Sequence, residues 1–193
     1  MTPWFIATEP FTPADGEKWD KYIEWSGLKQ LDEVVSLDGL LCPTLLREIK
    51  DEYWPHIVNE DFMLQFFVDF DFLMTQVAEI ETKNVLCVFR NPTREPEAPS
   101  FADLRFLGYD LVDRDCCISA LTNCGGFPDV FANSELSRVG LLTDFGRAVE
   151  VQHKLRSLHP AEHHADCHLW AVFRLAAASD VTAHGGLPDR DVA

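Results

Sequence analysis

Three short apolar segments limit what this chain can fold into. Asn84–Arg90, Leu104–Val112 and His168–Leu175 are each of strand length and rich in Val, Leu, Phe and Trp. Such runs, separated by helical patterns, read as buried strands. Between the second and third, Phe145, Ala148, Val151, Leu155 and Leu158 share one stripe of a helix that Thr143 would cap and Pro160 would close. Trp19, Tyr22 and Ile23 give a further helical pattern over Gly16–Gly27, with Gly27 as its stop. Pro43 suits a first helical position, and Leu45, Leu46, Ile49, Tyr53 and Trp54 then fall on one face of a helix through 44–54. For residues 59–81 the spacing of Phe62, Phe66, Phe70 and Leu73 predicts a mainly helical segment capped by Asn59. Leu31–Leu37 is a weak strand pattern. Leu104–Val112 and 117–122 flank a polar turn at Asp113-Arg-Asp, which predicts a hairpin.

This mixture points to an α+β fold, with a mainly antiparallel or mixed sheet packed by three to four helices in a single layer pair. Residues 1–178 are expected to form one domain, with 1–15 as an extended arm, and 179–193 a frayed tail.

Charge narrows the function. Asp and Glu number 32 against 16 Lys and Arg, a formal net charge of −16. A groove for nucleic acid needs clustered cations and is not expected. Neither a secretory signal nor an apolar run long enough to span a membrane is evident, so a cytoplasmic protein is expected. The six cysteines include no CxxC pair and read as reduced thiols.

The acids are unevenly placed. From Asp51 to Thr82 there are eight, with no Lys or Arg, interleaved with Tyr53, Trp54, Phe62, Phe66, Phe67, Phe70 and Phe72. The plain reading is an amphipathic element with Phe inward and acids in water. The sharper one is a negative docking face whose aromatics anchor a basic protein partner, with Phe62, Phe66, Asp69 and Asp71 as its candidates. Inhibitors of nucleic-acid-cleaving enzymes use that logic. Acidity, size and α+β organisation resemble those of bacterial toxin-neutralising (immunity) proteins, in composition and not by motif.

A second concentration is histidine: His153, His159, His163, His164 and His168. Imidazole and thiolate bind zinc, and His159, His163 and Cys167 are spaced to share a helix face, with Cys124 as a fourth donor. The run is not HExxH, however, and Pro160 interrupts it. A polar connection into the last strand is the plain alternative. A third candidate is Cys124, which precedes Gly125-Gly126 and could be a nucleophile in a tight turn. His163 or His164 would then act as base, oriented by Asp166 or Asn123. The expectation is thus a non-catalytic acidic binding protein, with a metal- or thiol-dependent enzyme as the alternative.

Overall fold

The computed structural model describes residues 2–60 and 62–176. Four strands, β1 (Trp4–Thr8), β2 (Asn84–Arg90), β3 (Leu104–Val112) and β4 (His168–Leu175), form one antiparallel sheet in the order β1-β2-β4-β3. Three α-helices accompany it: α1 (Glu17–Ser26), α2 (Phe70–Gln76) and α3 (Phe145–Leu158). The class is α+β. No helix of the described residues is long and apolar enough to cross a membrane.

The central strands are continuously apolar because both their faces are covered. Val85, Cys87 and Phe89 of β2 and Leu169, Ala171 and Phe173 of β4 join one cluster with Leu73 of α2 and Ala148, Val151 and Leu155 of α3. Leu86 and Val88 of β2 with Trp170 and Val172 of β4 join a second cluster with Val35, Leu37, Leu64, Phe66 and Leu141. The helices therefore lie on one face and irregular chain on the other. Alternation along a strand sends successive side chains to opposite faces, so an unbroken apolar run needs two covers.

β3 contains a bulge between Phe106 and Gly108. Gly108 has φ +146, and a Cβ there would lie 2.5 Å from the carbonyl oxygen of Leu142. Only glycine lets the 141–142 segment close on the strand, where Tyr109 and Leu142 exchange backbone hydrogen bonds.

Several predicted elements differ. The helix over 44–54 is reduced to a 3-10 turn at Asp51–His56, with Pro55 inside it. The helix over 59–81 is confined to α2, capped by Asp69 and not by Asn59. Ahead of it the chain is irregular, and Phe67 bridges to both Phe5 and Ile57. The outer edge of β1 thus finds backbone partners, and tertiary pairing overrides the four-residue spacing of the phenylalanines. β1 itself lies within the predicted arm, as an edge strand of the sheet. The second hairpin strand and the 31–37 strand are single bridges, Val112 to Ser119 and Phe11 to Val34. α1 ends at Gly27, which is left-handed as expected. The cap of α3 is Asp144, one residue past Thr143. The predicted tail at 179–193 lies outside the described residues.

Candidate functional site

The acidic run brings two carboxylates to the rim of an open groove of about 810 Å³ on the helical side of the β1 edge. Its floor is a triad of rings. Phe5 and Phe70 are 5.3 Å apart, Phe5 and Phe101 5.7 Å, and Phe70 and Phe101 5.1 Å. Phe101 is 53% exposed and Val68 also faces solvent. Asp69 and Asp71 flank the rings, at the N-terminus of α2.

Local chemistry fixes this arrangement. One oxygen of Asp69 accepts from the Phe72 N–H (2.9 Å), capping the helix. The other lies 3.0 Å from Nδ1 of His56, whose ring stacks flat on Phe72 at 3.9 Å. The Phe72 N–H, and then His56, hold the Asp69 carboxyl below its usual range. An ionised Asp69 only accepts, so Nδ1 of His56 donates and Nε2 is left as the free ring nitrogen. Asp51, Glu52, Asp71, Glu79 and Glu81 are exposed, with no basic side chain within 4 Å among the described residues.

Of the four predicted docking residues, Asp69 and Asp71 belong to this groove, and Phe62 and Phe66 do not. Phe66 is a correction: it is 1% exposed and stacks on Trp170, with centroids 5.2 Å apart and planes 8° from parallel. Phe62 is half-buried beside it, against Trp4 and Trp170. Around the bridge at Phe67 successive residues turn to opposite faces, which sends Phe67 into the first cluster and Phe66 into the second. Phe101 was missed. Its signal was weak: one aromatic closing a proline-rich polar stretch.

On the far face a matching set of groups is filled by the chain itself. The guanidinium of Arg90 lies 4.6 Å from the Trp4 ring centroid and 5.7 Å from that of Phe62. It forks to both oxygens of Glu60, with Nη2 at 2.9 Å.

The histidine cluster is dispersed, which corrects the predicted ligand set. His159 Nε2 lies 2.9 Å from Asp129, His163 is exposed, and Cys167 is 2% exposed with its thiol pushed up to about 12 by burial. Among the described residues no three His, Cys, Asp or Glu side chains converge as metal ligands. Pro160 ends α3 before the spacing can act on one helix face. His164 is 6% exposed, and neither ring nitrogen has a partner. Burial lowers its pKa, which favours the neutral imidazole.

Cys124 does precede two left-handed glycines, with φ of +75 and +88. Its thiol, however, donates to the Ala120 carbonyl at 2.8 Å and is pushed up to about 11 by burial. Among the described residues it makes no hydrogen bond to His163 or His164.

Two carboxylates are buried, Asp38 and Asp110, and Asp110 is not the solvent-facing turn residue that its closeness to Asp113 and Asp115 predicts. Asp110 accepts from Ser36 Oγ, Leu37 N, Ser119 Oγ and its neighbour Leu111 N, all at 2.6–2.9 Å. Asp38 accepts from Leu40 N, Leu41 N, Ser119 N and Asn123 Nδ2, at 2.8–2.9 Å. Burial pushes both carboxyls up, and these donors pull them back. The pair ties the 36–41 and 119–123 loops to β3.

Comparisons with protein-family models, curated proteins and solved structures find no match for this chain.

Proposed function

We propose that this is a non-catalytic binding protein that engages a basic protein partner through the acidic face around the β1 edge, as an inhibitor of the toxin-neutralising kind would. The observation that carries this is the pairing of unneutralised carboxylates with exposed apolar surface. The carboxylates of Asp51 and Glu52 face solvent in the same turn as Trp54 (56% exposed), and the exposed Asp71 lines the groove with Phe101. Unpaired acids steer a basic partner, and exposed aromatics supply the anchors that hold it. The net charge of −16 acts in the same direction at long range.

The test is capture at low ionic strength followed by kinetics on the captured protein. A partner with clustered Lys or Arg is expected, with an association rate that falls about tenfold between low and physiological salt. A partner whose association ignores salt contradicts the proposal.

A further inference from the structure

We infer that the groove floored by Phe5, Phe70 and Phe101 and flanked by Asp69 and Asp71 is an arginine site that takes the guanidinium of one arginine side chain presented by the partner. The inference rests on the basic-partner reading and names the group that reading leaves open.

Three observations carry it. First, the lining of the groove contains no Lys or Arg, its one imidazole, His56, is engaged with Asp69, and two carboxylates line it together with three aromatic rings. A cation is drawn to the face of a ring and to a carboxylate together. Second, the Phe101 ring is 53% exposed and is braced by an edge contact to Phe5 and a tilted one to Phe70, which leaves it as an aromatic platform. A planar guanidinium stacks on such a platform while its N–H edge stays free for carboxylates, which an ammonium cannot do. Third, the molecule already contains this arrangement. On the opposite face Arg90 lies over Trp4 and Phe62 while forking to Glu60. The groove offers the same two kinds of partner for an arginine from outside.

Asp69 and Asp71 have separate parts. Asp69 is held by the Phe72 N–H and by His56, so it is a fixed charge at the helix start. Asp71 is exposed and makes no side-chain hydrogen bond among the described residues, so it is free to meet the guanidinium edge.

The test titrates acetyl-Gly-Gly-Arg-Gly-Gly-amide into the isotope-labelled full chain, followed by NMR. The same peptide with citrulline is the uncharged isostere, and one with lysine is the ammonium control. Saturable shifts at the amides of residues 69–72 and at the Phe101 ring are expected. Citrulline should weaken binding about fivefold or more, as should Phe101→Ala or Asp71→Asn. Phe101→Tyr keeps the ring and should keep the binding. Equal affinity for the citrulline peptide, tighter binding of the lysine peptide, or indifference to Phe101→Ala each overturns the arginine site.

Failure here is separable from failure of the wider reading. If the arginine peptide does not bind while a basic partner still associates in a salt-dependent way, only the groove assignment falls. If the peptide binds and partner association ignores salt, the arginine site stands and the wider reading falls.

Discussion

Two places in this molecule set carboxylates beside clustered aromatics, and they differ in what completes them. On the face covered by irregular chain, Glu60 and the rings of Trp4 and Phe62 are completed by Arg90 of β2. On the helical side of the β1 edge, Asp69, Asp71 and the rings of Phe5, Phe70 and Phe101 share a lining with no Lys or Arg, and its one imidazole, His56, meets Asp69 and leaves Asp71 open. The first set fastens Glu60 and Phe62 to the sheet. The second faces solvent. Identical chemistry thus serves folding where the chain supplies the cation, and is available to a partner where it does not.

The largest expected effect sharpens the filled side. Phe66→Ala removes a ring stacked on Trp170 in the second cluster and should cost about 3–5 kcal/mol by denaturant unfolding. A cost near that of a surface change would return Phe66 to the docking face. Asp38→Asn tests a third kind of carboxylate, buried and met only by N–H donors. An amide NH₂ turned toward those donors leaves at least one unmet, at a cost of about 2 kcal/mol. Arg90→Gln breaks the filled site directly and should lower stability by about 1 kcal/mol. Asp71→Asn on the open side should change stability by about 0.5 kcal/mol or less while weakening the arginine peptide. Comparable losses for Arg90→Gln and Asp71→Asn would erase the distinction between the two sites.

Asp110 adds a pH test. Burial raises its folded-state carboxyl above the unfolded value, so the folded chain holds this proton more tightly. The stability it contributes is present at low pH and is lost as pH rises through the folded pKa. The stability of the wild type relative to Asp110→Asn should therefore shrink as pH climbs from about 4 to about 8. Growth over that range would contradict the assignment of burial as the dominant influence.

Much of the sheet was legible in the sequence, because the middles of β2 and β4, 85–89 and 169–173, are unbroken apolar runs with both faces covered, and β3 is apolar apart from Arg105, Gly108 and Asp110. Residues 62–68 were not, since Phe62 and Phe66 have helical spacing and only the backbone demand of the β1 edge pulls this stretch straight. The candidate site was half legible. Asp69 and Asp71 stood out through a run without Lys or Arg, and Phe101 joins them across thirty residues of sequence that carry no local signal. The burial of Asp38 and Asp110 was not legible for a related reason: their donors come from loops at 36–41 and 119–123, distant in sequence from Asp110. The histidines misled because spacing is informative only along one helix, and α3 ends at Leu158.

The most direct test of the central claim, that the β1-edge face and not total charge recruits a basic partner, compares two variants of equal net charge. In one, Asp51, Glu52 and Asp71 become Lys; in the other, the exposed Glu17, Asp20 and Glu24 of α1 do. Binding of nona-arginine to each is measured by calorimetry at fixed salt. The account predicts that the first set weakens binding about tenfold and the second about twofold or less. Equal losses would mean that net charge alone attracts the probe, and the claim for a specific face would fail.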